Sequence, residues 1–532
     1  MAAPAPPRAD GSGPSKYRFP RRLKSAIHST TMNRSANNSG SGTGTYSPTI
    51  KPAEAESIAV MKRDIPGATL LFKTPEGVEL SAAVVRLERF LVVFEAHQPE
   101  LWLQVSQVVR ELRIFLEGAL VYSGRGVIRN ILNTGAVWVC EVNLDEPGIA
   151  NPIKTPDNGT ANVQSAYASH FARWQQQVRV QPEFKAIVVD LQNYLFELKL
   201  LTEHVEIAIQ NHPPMARQQV EMQVAQDLAP RVVATIDMLH ERFEELAAKI
   251  PADEIAPHQL LVRRLLHPLF LCAPFGYRTY HKPLGYAGDY EIMNMIHRNT
   301  FEGASLYAKL VHFWLVSQWA SKSVRNRIAH MQSRLVRETA RVQRQHRRIR
   351  ILNVGCGPAR EIQNFLADQP LSSHADFTLL DFDEETIRYS RSQLLGAKQR
   401  HSRQTGIHFH QMSVMKLIAG AQRAANPLGT DFDLIYCGGL FDYFSDLACR
   451  QLVEQFYKWL APDGLVVVAN MSNHTQPFSR MVEFLLDWHL IYRDARCMAS
   501  LAPAGVPLDN SAVVIEPSLI NMFLELRKPS AG

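Results

Sequence analysis

The stretch Ile351-Leu-Asn-Val-Gly-Cys-Gly-Pro-Ala-Arg360 decides the fold of this chain, together with Phe377-Thr-Leu-Leu-Asp381 that follows it. Its first four residues are apolar enough for a short strand, and Gly355 and Gly357 let the backbone turn sharply beside a ligand. The sequence after the turn has helical spacing, so the start of that helix can offer free N–H groups. Asp381 ends a second apolar run and can accept hydrogen bonds from both hydroxyls of a ribose. The pattern predicts a strand, a turn and a strand that bind a nucleoside.

The remainder of the C-terminal third alternates strand-like runs with helix-compatible sequence. The further runs in this alternation are Ile407–Ser413, Asp433–Cys437 and Gly464–Asn470, and two closely connected strand-like runs, Ser511–Glu516 and Ile520–Leu526, follow them. Alternation of strands and helices implies a parallel sheet. We therefore predict an α/β fold over residues 349–532, with a Rossmann-like sheet of seven strands. Ligands of such sheets lie outside the carboxyl ends of the strands, so the residues after each strand are candidates for the site.

The glycine pattern lacks the third glycine of dinucleotide-binding folds. Its Val-Gly-Cys-Gly order resembles the first motif of the class I S-adenosylmethionine-dependent methyltransferases, whose sheet ends in an antiparallel pair of strands. The resemblance implies S-adenosyl-L-methionine as the cofactor, with the adenine near Ser413 and Val414 and the methionine part beside residues 437–440. The family often has an acidic residue where Ser413 stands. The cofactor-binding residues that we predict are Asn353, Gly355, Gly357, Asp381, Ser413, Val414, Cys437, Gly438 and Leu440.

Length and composition limit what the rest of the chain can be. With 532 residues it is too long for one hydrophobic core, and residues 1–60, rich in Pro, Ser, Gly, Asn and Arg, are predicted to be disordered. No signal-like start and no membrane-length apolar run occurs. The six cysteines form no Cys-x-x-Cys pair, which argues against a metal or iron–sulfur site and favours a reducing cytoplasm. The net charge of +6 is modest, and we expect no nucleic-acid partner.

Residues 61–150 have the pattern of a small antiparallel barrel. The strand-like runs are Thr69–Lys73, Val78–Leu87, Phe90–Glu95, Leu112–Leu116, Ala119–Ser123 and Ala136–Val142, with turns expected at 75–77, 123–126 and 134–135. The region resembles a PilZ domain, a bacterial receptor that binds cyclic diguanylate with an Arg-x-x-x-Arg pair and an Asp/Asn-x-Ser-x-x-Gly turn. Arg125 and Arg129 have the first spacing, but the second motif is missing. We predict a structural or protein-contact module rather than a nucleotide sensor.

Residues 151–302 are predicted as a helical domain with an active-site lid, after a linker at 148–165 that is rich in Pro, Gly and Asn. Phe184–Leu198 and Val232–Phe243 have apolar residues at intervals of three and four, which indicates amphipathic helices. His240-Glu-Arg-Phe-Glu lacks the second histidine of a metalloprotease helix, and we interpret it as a solvated helix face.

A long connecting helix is predicted over residues 303–348. It carries five arginines on one side, at positions 334, 337, 341, 344 and 348. Two readings stay open: a solvated face, or a docking surface for an acidic partner such as an acyl carrier protein, for anionic lipid or for RNA.

The segment Phe275–Tyr290 combines five aromatic rings with a histidine, charges and three glycines, which is not the composition of a core element. We predict a loop that closes over the methyl donor and keeps water out. Two motifs, Lys282–Asn294 and Ile435–Asp446, resemble those of the bacterial methyltransferases that make 3-hydroxypalmitic acid methyl ester, a quorum-sensing signal. The resemblance covers residues 180–530 and implies a cytoplasmic methyltransferase that esterifies a fatty acid or a similar hydrophobic acceptor.

The candidate catalytic residues follow from the kind of acceptor. A carboxylate is already a nucleophile near neutral pH and needs only to be held in line, for example by Tyr286, Tyr290, His281 or Arg493. A hydroxyl or an amine needs a base, for which His281, Asp289 and Asp442 are candidates. The alternatives are an O- or N-methyltransferase for another metabolite, and a non-catalytic regulatory protein linked to cyclic diguanylate. The residues that we predict as catalytic are His281, Tyr286, Asp289 and Tyr290.

Overall fold

The computed structural model describes residues 68–530 apart from 74–78, 89, 97–102, 117, 134–137, 146–166, 169–170, 172–179, 415–416, 418–427 and 475–478. The predicted disordered start, the linker at 148–165 and the turns at 75–77 and 134–135 lie outside the described residues. Within the described part of the chain, no helix is long and apolar enough to cross a membrane.

The first folded region is a closed antiparallel barrel of six strands in the order β1-β2-β3-β6-β5-β4. The strands are β1 (Ala68–Lys73), β2 (Glu79–Leu87), β3 (Leu91–Ala96), β4 (Val108–Leu116), β5 (Ala119–Asn133) and β6 (Trp138–Leu144). Alternate residues point inward, and Leu70, Phe94 and Leu112 are among those that fill the interior. The predicted barrel is confirmed.

The turn predicted at residues 123–126 is wrong, because β5 continues through it. Gly126 pairs directly with Leu144 of β6. A Cβ atom at Gly126 would lie only 2.5 Å from Val142 Cγ1, so this glycine allows two strands to pack closely. Gly126, which suggested a turn in the sequence, is instead needed where two strands pack closely.

Helices α1 to α7 follow the barrel. They are α1 (Pro182–Ile209), α2 (Pro214–Ala247), α3 (Ile255–Phe270), α4 (Pro274–His281), α5 (Tyr290–Arg298), α6 (Leu306–Ser317) and α7 (Trp319–Gln343). Both predicted amphipathic helices are present, within α1 and α2, and their apolar faces share one core with α3, α6 and the helix after the fifth strand of the sheet. Because α4 covers the first half of the aromatic segment, only residues 282–289 form a loop.

The face around His240 is not solvated, which corrects the interpretation made above. His240 is 7% exposed and Glu244 2% exposed, and their side chains meet at 3.1 Å. Glu244 also accepts hydrogen bonds from the backbone N–H groups of Arg480 and Met481. A buried carboxylate needs such donors, so this pair joins α2 to the segment after the fifth strand.

The long connecting helix is in fact two helices, because Gln318 has an extended backbone (ψ 160°) between α6 and α7. Three of the five arginines in the row pair with carboxylates of the sheet, whereas Arg337 and Arg344 are exposed. Arg334 pairs with Glu525 at 2.8 Å, Arg341 with Asp463 at 2.6 Å and Arg348 with Asp376 at 2.7 Å. These three arginines hold α7 and the chain after it against the sheet.

The C-terminal region is a seven-stranded sheet in the order β12-β13-β11-β10-β7-β8-β9. Its strands are β7 (Ile349–Val354), β8 (Ala375–Asp381), β9 (Gly406–Gln411), β10 (Phe432–Cys437), β11 (Leu460–Met471), β12 (Ser511–Ile515) and β13 (Asn521–Arg527). The strands pair in parallel except β13, which is antiparallel to β11 and to β12. This is the predicted Rossmann-like fold, and it brings the carboxyl ends of β7, β8 and β10 to one edge.

The helices of this region are α8 (Arg360–Asp368), α9 (Glu384–Arg400), α10 (Asp446–Lys458), α11 (Arg480–Leu486) and α12 (Ala495–Ala499). Buried side chains form a separate core on each face of the sheet. Helix α11 ends at Leu486, because the next residue, Asp487, has a left-handed backbone (φ 53°).

Candidate active site

The turn after β7 is held open by two glycines in the left-handed region. Gly355 has φ 66° and Gly357 has φ 50°, conformations that favour glycine. The N–H groups of Gly355 and Cys356 donate to the carbonyl oxygen of Leu380 at 2.8 and 3.0 Å, which fixes the turn against β8. A Cβ atom at Gly355 would lie 2.7 Å from Leu440 Cδ1, whereas one at Gly357 would meet nothing within 4 Å. The turn therefore faces open space that a ligand can approach closely.

Asp381 lies beside this turn at the end of β8 and is only 7% exposed. Its carboxylate accepts hydrogen bonds from the backbone N–H groups of Gly357 at 3.0 Å and Asp383 at 3.2 Å. Burial raises the pKa of Asp381 to about 6, although these donors oppose the shift. Further donors on a ligand, such as the hydroxyls of a ribose, would stabilise the ionised form.

A cavity of about 230 Å³ extends from the turn. Ten of the residues predicted from the sequence line it: Asn353, Gly355, Gly357, Asp381, Ser413, Val414, Gly438, Leu440, Tyr286 and Tyr290. Cys437 does not line it, because its fully buried side chain packs in the core on one face of the sheet. This lining fits a nucleoside: the Asp381 carboxylate can hold the sugar, and Val414 and Leu440 offer apolar contacts beside the glycine turn.

Asn353 is part of a buried network behind the turn. Its Nδ2 donates to Glu361 at 3.0 Å, and the Tyr436 hydroxyl donates to the same carboxylate at 2.8 Å. Burial raises the pKa of Glu361. Glu361 is the second residue of α8, so the network fixes the start of this helix beside the cavity. Glu361 and Tyr436 were not predicted from the sequence, although Tyr436 alternates with the core-facing Ile435 and Cys437 along β10.

The loop of residues 282–289, which we call the lid, covers the sugar end of the cavity. The Tyr286 ring lies 4.9 Å from the Phe382 ring, and its hydroxyl is 3.3 Å from Thr386 Oγ1. Next to the lid, Tyr290 stacks on Tyr389 and donates to Glu385 at 2.7 Å. Tyr286 thus contacts Phe382, the residue directly after Asp381, and the first turn of α9, while Tyr290 contacts the first two turns of α9.

Two of the predicted catalytic residues lie away from the cavity. Asp289 is fully buried and caps α5, where it accepts hydrogen bonds from two backbone N–H groups at 3.0 Å and from Arg278 Nε at 2.9 Å. His281 is exposed and packs on Tyr277 with ring centres 4.2 Å apart. Arg493, considered as an anchor for an acceptor carboxylate, is also buried, paired with Asp446 and bonded to the backbone of Phe441. Each of these polar groups has structural partners.

Arg327 and His297 also reach the cavity, although the sequence did not indicate them, and Asp442, a candidate base from the sequence, lies beside Arg327. Arg327 of α7 lies over the turn after β10, where its Nη1 is 3.5 Å from Asp442 Oδ2. Asp442 is 3% exposed, and burial raises its pKa. His297 also lines the cavity, and burial together with Arg360, Arg327 and Arg325 lowers its pKa to about 4. At neutral pH this histidine is uncharged.

The far end of the cavity is mainly apolar. It is lined by Trp314, Trp319, Trp488, Met293, Met481 and Leu486, among others. The barrel contributes Gln104 and Gln107 to the same wall. In the described residues we find no cluster of three or more His, Cys, Asp or Glu that could hold a metal ion.

The side chains of Arg125 and Arg129 in the barrel already have partners within the protein. Arg125 pairs with Asp145 at 3.0 Å and donates to the carbonyl oxygen of Tyr280 at 2.9 Å. Arg129 lies 3.4 Å from Glu141. The two guanidinium groups therefore contact the protein itself.

Comparisons with known proteins agree with the C-terminal fold. Residues 352–466 match the family model described as methyltransferase domain. No curated protein matches the chain in sequence at a significant level.

Solved structures that resemble the chain include a possible exported protein from Bordetella parapertussis, at 17% identity and a TM-score of 0.37 over 57% of this chain and 97% of that one. Magnesium protoporphyrin IX methyltransferase from Synechocystis PCC 6803 with bound SAH is 11% identical, with a TM-score of 0.28 over 40% and 87%. The N-methyltransferase NodS from Bradyrhizobium japonicum WM9 is 15% identical, with a TM-score of 0.24 over 38% and 96%.

The family match covers the glycine turn, the carboxylate of Asp381 and the strands around them. These residues fit S-adenosyl-L-methionine, the cofactor that the motif implied. The C-terminal part of the chain is a class I methyltransferase domain, and the protein is an S-adenosylmethionine-dependent methyltransferase.

Proposed function

We propose that this methyltransferase esterifies the carboxylate of a hydrophobic small molecule, such as a 3-hydroxy fatty acid, in the cytoplasm. The observation that carries the proposal is the apolar end of the cavity, where tryptophan, methionine and leucine side chains continue from the glycine turn. An alkyl chain gains about 0.8 kcal/mol for each methylene that it buries in such surroundings. The sequence motifs at 282–294 and 435–446 support the same acceptor by resemblance.

When bound, S-adenosyl-L-methionine supplies an electrophilic methyl group. The protein then has to bind the acceptor, orient its carboxylate towards the methyl group and exclude water. No base is needed, because a carboxylate is already nucleophilic. We assign exclusion of water to Tyr286 and Tyr290, which cover the sugar end. Orientation of the acceptor oxygens falls to Arg327 and to the neutral donors Gln107 and Tyr443, all of which line the cavity. His281 and Asp289 receive no contact with the acceptor in this proposal.

The acceptor is proposed as a free acid. An acid carried on an acyl carrier protein is a thioester and has no carboxylate to methylate. Release from the carrier would have to come first, so the carrier protein has no direct role in this step.

A second candidate, methylation of a hydroxyl group, is favoured by Asp442. This carboxylate lines the cavity, and burial raises its pKa, which makes it a stronger base than an exposed aspartate. Arg327 beside it opposes that shift. The two candidates differ in which oxygen of a 3-hydroxy acid receives the methyl group.

The test is methyl transfer from radiolabelled S-adenosylmethionine to palmitate, 3-hydroxypalmitate and methyl 3-hydroxypalmitate by the full chain. The proposal expects a methyl ester, released by alkali as methanol, from the two acids and no product from the third compound. A product from methyl 3-hydroxypalmitate would be an ether and would favour the hydroxyl reaction. Absence of product from all three compounds would contradict the fatty-acid proposal.

A further inference from the structure

We propose that the barrel is a fixed part of the catalytic site, in which Arg110 and its neighbours on β4 position the lid over the cofactor cleft. This inference rests on cofactor binding alone and is independent of the proposed acceptor.

The first observation is a set of hydrogen bonds from barrel donors to the backbone of the lid and of the helix before it. Val108 N–H donates to the carbonyl oxygen of Gly285 at 2.8 Å. Arg110 Nη2 donates to that of Pro283 at 2.7 Å, and Arg125 Nη2 to that of Tyr280 at 2.9 Å. Three carbonyl groups within residues 280–285 thus accept hydrogen bonds from two neighbouring strands of the barrel.

The second observation is that the barrel also holds the segment after α11, against which the lid packs. Ser106 Oγ donates to the carbonyl oxygen of His489 at 2.8 Å, and Asn143 Nδ2 donates to Asp487 Oδ1 at 2.9 Å. Asp487 is fully buried; it forms an ion pair with Arg263 at 2.9 Å, and its carboxylate accepts a hydrogen bond from His489 Nε2. Burial alone would raise the pKa of Asp487, but Arg263, the hydrogen bond from His489 and Lys282 hold it well below its usual value.

The third observation is that the lid begins at a residue with little freedom. Lys282 has a left-handed backbone (φ 46°) and a fully buried side chain, whose Nζ donates to the carbonyl oxygen of Leu486 at 3.1 Å. Further along, a Cβ atom at Gly288 would lie 2.9 Å from the Tyr443 hydroxyl. The lid is therefore packed between the barrel on one side and residues 443 and 486–489 on the other.

These contacts form a continuous path from the barrel to the cofactor end. The carbonyl of Gly285 accepts from β4, and the next residue, Tyr286, contacts Phe382 and Thr386 directly after Asp381. Because the lid is so short, a loss of its barrel contacts should loosen Tyr286. The barrel then acts as a positioning element for the cofactor site, in agreement with the occupied arginine pair.

The test compares Arg110→Met with Arg110→Lys and with Arg113→Met. Arg110 is exposed and its side chain donates to the lid, so its replacement should leave the fold intact. Arg113 lies on the same strand, is partly exposed and pairs with Glu79 at 2.9 Å, away from the lid. The readouts are the dissociation constant of S-adenosylhomocysteine by calorimetry and hydrogen exchange of the amides at 285–288.

We expect Arg110→Met to weaken S-adenosylhomocysteine binding by about three- to tenfold, the range for one ordinary net hydrogen bond, because water competes for this exposed guanidinium, and to speed exchange in the lid. Arg110→Lys should restore most of both values, and Arg113→Met should change neither. An Arg110→Met protein with wild-type affinity and wild-type lid exchange would overturn the proposal. Equal effects of Arg110→Met and Arg113→Met would do the same, since they would reflect a general change in the barrel.

Discussion

The two ends of the cavity are built in different ways. At the cofactor end, the Gly357 N–H and the Asp381 carboxylate that meet there are 24 residues apart and belong to one strand, turn and strand. Outside this unit, the contacts that hold the lid and the chain after α11 to the barrel join residues 173, 344 and 383 positions apart: Arg110 with Pro283, Asn143 with Asp487, and Ser106 with His489. The cofactor end is a local unit of the sheet, whereas the acceptor end exists only when barrel, lid and sheet are folded together.

This difference separates two properties of the enzyme. Affinity for the nucleoside part of the cofactor depends first on the local unit. The choice of acceptor depends on the acceptor wall, which barrel, helices and sheet form together. Substitutions in the local unit should therefore change cofactor affinity strongly, and substitutions in the acceptor wall should change the KM of the acceptor. Loosening of the lid, as in Arg110→Met, should weaken cofactor affinity only modestly.

The largest loss of cofactor affinity is expected when a glycine of the turn after β7 is replaced by a residue with a Cβ atom. Gly355→Val places a branched side chain in a left-handed conformation, which costs at least about 1–2 kcal/mol, and sets its Cβ 2.7 Å from Leu440 Cδ1. We expect S-adenosylhomocysteine affinity, measured by calorimetry, to fall by at least about 100-fold, that is by about 2.7 kcal/mol or more. The matched control is Gly396→Val, because a Cβ atom there meets nothing within 4 Å. Retained affinity in Gly355→Val would remove the cofactor from this turn.

A smaller effect is expected from Asp381→Asn, which keeps the shape of the side chain and removes its charge. Charge-assisted hydrogen bonds contribute about 1.5–3 kcal/mol, so affinity for S-adenosylhomocysteine should fall by about 10- to 100-fold.

The same carboxylate predicts a pH dependence. The pKa of Asp381 is raised to about 6 in the free protein, and donation by ribose hydroxyls lowers it in the complex. Binding then favours the ionised form, so wild-type affinity should rise from pH 5 towards pH 7 and level off above it. Asp381→Asn should show no such rise. An identical pH profile in both proteins would contradict the role given to this residue.

The smallest change in a kinetic constant is expected from Gln107→Leu, which tests the acceptor end of the cavity. Among the described residues, Gln107 Nε2 has no hydrogen-bond partner, while Oε1 accepts from the Gln104 N–H. Loss of one neutral hydrogen bond to the acceptor should raise its KM by about two- to tenfold and leave the affinity for S-adenosylhomocysteine within twofold. Asn130→Leu, an exposed barrel site, is the control. If cofactor affinity changed instead of KM, the two ends would not be separable.

How far the sequence predicted the structure follows the same division. The seven strands, the glycine turn and Asp381 depend on apolar runs, glycines and spacing within short windows, and these predictions agree with the structure. The position of Cys437 was misjudged because the direction of a side chain along a strand follows the alternation with its neighbours. Tyr436, which points the other way, is the residue that reaches the network behind the turn.

The acceptor end could not be predicted from local patterns. Arg327 and Gln107 reach the cavity only through packing between regions far apart in sequence, and nothing beside them in the chain marks them. His281 and Asp289 lie in a segment that was correctly singled out. Their side chains are nevertheless directed by helix packing and by capping of α5, which composition does not reveal.

Hydrogen exchange with and without S-adenosylhomocysteine tests the central claim most directly, because it observes both regions in one experiment. We predict that the ligand slows exchange at residues 355–359 and 381–383, and that it also slows exchange in the lid at 285–288 and in the barrel turn at 104–108. Protection confined to the sheet, with the lid and the barrel unchanged, would contradict the account of one site built from both regions.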